Sequence, residues 1–265
     1  MNELVFIGLG LNDEKSISLQ GIEEAKSAEN VFLELYTNYL PNFSTKRLET
    51  LIDKKIQLLT RHELEEENGA IIITAAKKGK TAFLVPGDPL IATTHVTLRI
   101  EAEKSGVKTR IIHGASIITA IIGLSGLQNY KFGKTVTIPL PENLSETPYN
   151  VITQNKQLGL HTLCLLDLKI NEKRFLTINK ALTLLSLIEQ KRKEETITPN
   201  TIAIGIARAG SNTPTVKADH IKTLQKHDFG EPPQTLIFPG KLHFMETQAL
   251  ITLAAAPKTI RRTTK

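Results

Sequence analysis

One acidic residue, Asp88, directly follows an apolar run and a tight turn in the segment TAFLVPGDPLI. Residues 82–85 show no polar alternation, which is typical of a strand buried on both faces, and the Pro-Gly pair after them predicts a turn. Asp88 then lies at the carboxyl end of a strand, where open α/β sheets bind ligands. It is equally suited to cap a helix from Pro89 to about Lys104. Both roles stay open.

Two further predicted strands end in small residues. Residues 4–7 run into Gly8-Leu9-Gly10, but the third glycine of a dinucleotide fingerprint would fall at Asp13. That fingerprint therefore fails, and either a plain turn or a close backbone approach to a ligand remains. Residues 107–112 run into His-Gly-Ala-Ser, where Ser116 either caps the next helix or hydrogen-bonds a ligand at its N-terminus.

The elements that must position these residues alternate between strands and helices, which predicts an α/β fold with a mainly parallel sheet. Glycine and loop signals after residue 113 indicate a domain junction. We expect a first α/β domain over residues 1–113, a second with a mixed sheet over 114–256, and a disordered basic tail over 257–265. The predicted strands cover residues 4–7, 31–35, 56–59, 82–85, 107–112, 162–166, 201–206 and 235–238.

The composition is typical of a soluble folded protein, since hydrophobic residues make up 40% of the 265. No apolar run approaches the ~18 residues that span a bilayer, and the start of the chain lacks signal-peptide features. We therefore expect a cytoplasmic protein. The net charge of +6 permits an acidic partner, but aromatic residues at 5% disfavour stacking on single-stranded nucleic acid.

The sequence contains no motif typical of a metal site or of a catalytic nucleophile. The seven histidines are scattered and lack zinc spacing, so no metal is expected. The single cysteine, Cys164, has apolar neighbours typical of a small buried hydrophobe. A phosphate-binding GxxxxGK[ST] loop and a GxSxG elbow are both absent. What remains is a set of strand ends rich in small residues with one carboxylate, which suits a flat, partly apolar small molecule held mostly by backbone.

Seven segments, in order along nearly the whole chain, resemble the archaeal-type diphthine synthases. That family lies within the tetrapyrrole methylase superfamily of S-adenosylmethionine-dependent methyltransferases. A GDP-type turn is general to the superfamily, whereas the GDPLIATTH, ARAGS and PPxxLIxPGKLH stretches are specific to diphthine synthases. The segments are IGLGL at 7–11, VPGDPLIATTH at 85–95, HGASI at 113–117, YKFGK at 130–134, GLHTLCLLDLK at 159–169, ARAGS at 207–211 and GEPPQTLIFPGKLH at 230–243.

The resemblance implies two α/β domains of the tetrapyrrole methylase type, with S-adenosylmethionine in the cleft between them, and a homodimer. At position 234, the last of the implied cofactor contacts, the family commonly has His. This chain has Gln there, and its side chain can still form a hydrogen bond. Carried over position by position, the contacts are Leu11, Asp88, Ile91, Ser116, Ile117, Leu166, Ala209 and Gln234.

The implied reaction is trimethylation of the amino group of 2-(3-amino-3-carboxypropyl)histidine on translation elongation factor 2, which gives diphthine in diphthamide biosynthesis. The protein must align an unprotonated amine with the sulfonium methyl group and exclude water. His95, His113 and Tyr36 are candidate general bases, and the sequence does not choose among them. The elongation factor is the expected partner, with neither a membrane nor a direct nucleic-acid contact.

Two other functions share some of these features. Another enzyme of the superfamily, acting on a corrinoid or on ribosomal RNA, would have the GDP turn without the PPxxLIxPGKLH stretch. A nucleotide-binding regulator without catalysis would also use glycine-rich strand ends, but the Walker and Rossmann spacings are absent.

Overall fold

The computed structural model describes residues 2–263, and the chain divides after Ile117 into two compact units. The sequence predicted the boundary four residues earlier, after residue 113. Residues 114–117 belong with the first unit because Gly114 packs against that unit's backbone: a Cβ on Gly114 would lie 2.4 Å from the carbonyl oxygen of Gly87.

The first unit contains a five-stranded sheet in which every pairing is parallel. The strand order is β3-β2-β4-β1-β5. Because parallel neighbours end at the same edge, the residues that follow these strands meet there. The strands are β1 (Glu3–Gly8), β2 (Asn30–Glu34), β3 (Gln57–Leu59), β4 (Lys80–Val85) and β5 (Lys108–Ile112).

Both faces of this sheet are buried, as the unbroken apolar runs predicted. Along β1, Leu4 and Phe6 enter one core while Val5 and Ile7 enter the other. Helices α1 (Leu19–Ser27) and α2 (Thr45–Ile52) supply side chains to the second of these cores, and α3 (Ala70–Ala76) and α4 (Val96–Lys104) to the first. Short helical turns also occupy Glu14–Ser16 and His62–Glu66.

The predicted helix beginning at Pro89 is wrong. Helix α4 begins only at Val96, after a loop in which Ala92 takes a left-handed backbone conformation with φ of 57°. A helix cannot continue through that conformation, so the capping role proposed for Asp88 is also wrong. The Asp88 carboxylate instead accepts a hydrogen bond from the Leu90 N–H at 3.1 Å, which closes the turn itself.

The second unit is also α/β, with a mixed five-stranded sheet in the order β11-β10-β12-β7-β6. Its pairings are antiparallel except for β6 with β7. The sequence predicted antiparallel strands here but missed β11 and the last helix, α9. The strands are β6 (Val136–Ile138), β7 (Thr162–Leu166), β8 (Leu168–Lys169), β9 (Arg174–Phe175), β10 (Ile202–Ala207), β11 (Thr215–His220) and β12 (Gln234–Phe238).

Helices α6 (Thr147–Gln157), α7 (Ile178–Arg192) and α8 (Ile221–Leu224) supply side chains to the main core of the second unit. Five α7 side chains contribute to that core, together with Tyr149, Phe229 and Phe238. Cys164 lies in the same core, so the prediction of a small buried hydrophobe is confirmed, and burial raises the pKa of its thiol. The helices are α5 (Ile117–Ser125), α6 (Thr147–Gln157), α7 (Ile178–Arg192), α8 (Ile221–Leu224) and α9 (Phe244–Leu253).

A buried charge cluster joins three of the family-like segments of the second unit. The Glu246 carboxylate on α9 accepts hydrogen bonds from His161 Nε2 at 2.8 Å and from the Lys131 ammonium. It also accepts from the N–H groups of Gln128 and His243 at 2.9 and 2.8 Å. Because each partner is satisfied, these segments have a structural role within the second unit.

Part of the predicted disordered tail is helical. A 3-10 helix covers Lys258–Thr263, and Ile260 within it is buried. Burial of this side chain holds the stretch in place, which its basic composition did not predict. Residues 264 and 265 of the predicted tail lie outside the described residues. None of the helices described is both long and apolar enough to cross a membrane.

Candidate active site

Backbone groups from three strand ends of the first unit meet at one point. Gly10 and Gly87 exchange two backbone hydrogen bonds, of 3.1 and 2.7 Å, and both have φ above 70°. Gly8 and Gly114 cross so closely that a Cβ on Gly8 would lie 2.6 Å from the Gly114 nitrogen. Glycine is required here both for the backbone conformation and for the close approach. We call residues 8–11, 34–37, 86–91 and 113–116 the carboxyl edge of the first sheet.

Asp88 lies beside this glycine crossing and is held on both of its oxygens. Oδ1 accepts the Leu90 N–H, and Oδ2 lies 2.7 Å from Nδ1 of His113, which follows β5. The Asp88 side chain is only 7% exposed, whereas that of His113 is 75% exposed. The structure therefore pairs a buried, fixed carboxylate with an accessible imidazole, a combination suited to binding and to proton transfer.

The other predicted site residues of the first unit also lie at or next to the carboxyl edge. Leu11 is half-buried directly after Gly10, and Ser116 is buried directly before α5, which begins at the half-buried Ile117. Ile91, after the turn, is 42% exposed. Its exposure leaves an apolar side chain available to a ligand beside the buried Asp88 carboxylate.

In the second unit, the sheet brings the three remaining predicted residues to one of its edges. Leu166 ends β7, Ala209 follows β10, and Gln234 begins β12. Strand β12 lies between β10 and β7 and runs antiparallel to both, and Gln234 pairs with Ala207 while Thr235 pairs with Leu165. The three residues therefore lie together, although they are far apart in sequence.

The Gln234 side chain already has two partners inside the second unit. Its Oε1 accepts the Ile178 N–H at 2.9 Å at the start of α7, and its Nε2 donates to the Gly230 carbonyl at 2.7 Å. Arg208 holds the same loop by donating to the carbonyls of Phe229 and Glu231, both at 2.8 Å. The amide of Gln234 thus supports the Pro-Pro segment, and a ligand would meet its backbone more readily than its side chain.

Comparison with known proteins decides the family. Residues 3–225 match the family model described as Tetrapyrrole (Corrin/Porphyrin) Methylases, which is well over half of the chain. The chain belongs to this family. The α/β architecture and the methylase assignment predicted from the sequence are therefore confirmed.

Individual relatives of this methylase are similar along nearly their full lengths. The diphthine synthase of Methanosarcina acetivorans is 47% identical over 99% of this chain and 100% of its own length. That of Methanocaldococcus jannaschii is 48% identical over 93% and 97%. A solved crystal structure of diphthine synthase matches with a TM-score of 0.90 and 42% identity, covering 98% of this chain and 99% of that one.

One buried pair of ionisable side chains, Glu34 with His95, was not predicted from the sequence. Glu34, the last residue of β2, lies 3.3 Å from Nε2 of His95, and the side chains are 0% and 2% exposed. Glu34 also accepts the N–H groups of Tyr36 and Thr37, at 2.9 and 3.0 Å. The available signal was a glutamate directly after the apolar residues Val31–Leu33, where a buried acid needs a partner.

This pair narrows the choice of a general base. His95 is 3% exposed and packs its ring against Phe83 at a centroid distance of 5.1 Å, so it is not accessible to a substrate in this conformation. Burial, with the Glu34 charge, raises the pKa of Tyr36, so its phenol stays protonated at neutral pH. Neither group is then placed to accept a proton from a substrate.

Among residues 2–263, no cluster of His, Cys, Asp and Glu has the arrangement of a metal site.

Proposed function

We propose that this methylase is a diphthine synthase. In this role it methylates the amino group of 2-(3-amino-3-carboxypropyl)histidine on translation elongation factor 2 three times, giving diphthine in diphthamide biosynthesis. The observation that carries the proposal is the near-full-length similarity to two proteins named diphthine synthase, one of them 47% identical. The similarity covers the regions of the ARAGS and Pro-Pro segments. These segments distinguish a diphthine synthase from a corrinoid or ribosomal-RNA methyltransferase.

The methyl donor is S-adenosylmethionine, and the carboxyl edge of the first sheet fits it. Glycines at the strand ends let backbone approach a flat ligand, and the buried Asp88 carboxylate can accept a hydrogen bond from the donor's polar groups. When bound, the donor supplies a methyl group on a positively charged sulfur. The residues proposed to hold it are Leu11, Asp88, Ile91, Ser116 and Ile117 of the first unit and Leu166, Ala209 and Gln234 of the second.

The protein substrate and the oligomeric state follow from the same proposal. The modified histidine belongs to a folded factor, so the site must admit a protruding loop of that protein. The net charge of +6 favours encounter with an acidic face of the partner. A homodimer is proposed from the resemblance to the diphthine synthases.

The class of function is tested by calorimetry with three ligands. Titration of the full chain with S-adenosylmethionine is expected to give saturable binding, whereas ATP and NAD give none, because the Walker and Rossmann loops are absent. Binding of ATP or NAD in place of S-adenosylmethionine would instead identify a nucleotide-binding regulator and reject the methyltransferase proposal.

A further inference from the structure

The proposed reaction requires a proton acceptor. An alkyl amine such as that of the substrate is largely protonated at neutral pH, since comparable lysine amines have a pKa of about 10.4. The protonated amine has no lone pair with which to attack a methyl group. After each of the first two transfers, the nitrogen again carries a proton that must leave before the next attack. Solvent can remove the first proton before binding, but the later ones are released in the site.

His113 meets the geometric requirements for this role. Its Nδ1 lies 2.7 Å from Asp88 Oδ2, so Nδ1 carries the hydrogen that is donated to the carboxylate. The neutral ring then has its lone pair on Nε2, which has no hydrogen-bond partner among the described residues. With a side chain that is 75% exposed, His113 can be approached directly by a substrate.

Asp88 is built to hold and polarise this imidazole. Its side chain is 7% exposed, and its other oxygen is fixed by the Leu90 N–H, so the carboxylate cannot turn away from His113. A buried carboxylate on Nδ1 fixes the tautomer and stabilises the imidazolium that forms when Nε2 takes a proton. A carboxylate has about four lone-pair sites, which leaves capacity for a contact to the methyl donor as well.

The pair also lies where the proposed donor would bind. Asp88 directly follows Gly87 and His113 directly precedes Gly114, and these two glycines are in contact at the crossing. Asp88 is the charged group that faces the imidazole; Arg110, on the same strand, is committed to Glu3 and Glu24. The base and the donor site would therefore be neighbours.

We propose that His113 is the general base of the methyl-transfer reaction and that Asp88 orients it. This proposal rests on the proposed function. His113 Nε2 forms a bond to a proton of the substrate ammonium group, the N–H bond of the substrate breaks, and its electron pair stays on the substrate nitrogen as the lone pair that attacks the methyl carbon. The proton then passes from the imidazolium to solvent. After the third transfer the nitrogen carries no proton and His113 is not needed.

The test is the pH dependence of methylation by His113→Gln. Near pH 7 the rate is expected to fall on the order of a hundredfold, the usual effect of losing a general base. The gap to the unsubstituted enzyme should narrow as the pH rises toward 10, because solvent then deprotonates the amine. Monomethyl and dimethyl products should accumulate, and the affinity for S-adenosylmethionine measured by calorimetry should stay within about twofold, a shift under ~0.5 kcal/mol.

A matched control is His220→Gln. His220 is the last residue of β11 and pairs with Ile202 at the opposite end of β10 from Ala209, so this variant should keep the rate and the pH profile. A wild-type rate for His113→Gln would overturn the proposed base, as would a loss that is equal at every pH and accompanied by weaker donor binding. If the unsubstituted enzyme methylates the factor, such a result rejects the base alone; if it does not, the proposed function fails as well.

Discussion

Replacement of Asp88 by alanine is expected to weaken S-adenosylmethionine binding by about ten- to a hundredfold. This range corresponds to the roughly 1.5–3 kcal/mol of a hydrogen bond to a charged group. The carboxylate is buried beside the glycine crossing, so water would replace it poorly in a complex. Calorimetry with the methyl donor measures the change, and thermal unfolding of the same sample shows whether the fold is retained.

Asp88→Asn separates ligand binding from a purely local role. Asparagine can still accept the Leu90 N–H and close the turn, but it lacks the charge that would bind the donor and orient His113. We therefore expect Asp88→Asn to unfold at nearly the wild-type temperature and to bind the donor more weakly. If both variants bind with unchanged affinity, Asp88 makes no contact with the methyl donor.

The second large effect concerns stability. Glu246→Gln is expected to destabilise the protein by about 3–5 kcal/mol, the usual cost of removing one member of a buried ion pair. Lys131 and His161 would lose a charged acceptor, and the two backbone N–H groups would share a weaker one. Urea unfolding followed by circular dichroism measures the loss. The control Glu172→Gln removes a half-exposed carboxylate from surface pairs and should cost no more than about 1 kcal/mol.

The same cluster predicts a loss of stability in acid. Burial raises the pKa of Glu246, but its hydrogen bonds outweigh burial and hold the pKa at about 2, below the ordinary 4.5. Burial lowers the pKa of His161 from its ordinary 6.5. Both groups then bind protons more readily in the unfolded chain, so stability falls as the pH drops below 6.5 and again between 4.5 and 2. A stability that stays level from pH 7 to pH 3 would contradict this arrangement.

The sequence predicted the centre of the first sheet well because β1, β2 and β4 each contain an unbroken run of buried apolar residues. The run Ala82–Val85 is buried on both faces, and only a strand of a covered parallel sheet needs that composition. The predicted strand β7 at residues 162–166 agrees with the structure residue for residue. Strand β11, TVKADH, was missed because its half-buried polar side chains give little periodic signal.

The sequence predicted less about the turn after β4. Asp-Pro is a good helix start by local rules, but the left-handed Ala92 and the burial of His95 against Phe83 delay α4 to Val96. The burial of His95 depends on contacts with Phe83 and Glu34, which are distant in sequence. The pairing of Asp88 with His113 was likewise invisible, since 25 residues separate them and only the β4-β1-β5 order brings their strand ends together.

The cluster around Glu246 shows that a family-like segment need not carry chemistry. His161 accepts the Gly240 N–H through Nδ1 and faces Glu246 through Nε2, so both ring nitrogens are used within the second unit. His243 caps α9, and Glu246 three residues later completes a capping box. The His-x-x-Glu spacing was a readable signal of that helix start.

Mass spectrometry of the modified histidine peptide of elongation factor 2 is the decisive test of the proposed methylation. The factor carrying the 3-amino-3-carboxypropyl group is incubated with the full chain and S-adenosylmethionine, then digested. We expect a gain of three methyl groups on that histidine peptide, and none when either the enzyme or the methyl donor is omitted. A peptide whose mass is unchanged by the complete mixture, under conditions in which the donor binds, would contradict it.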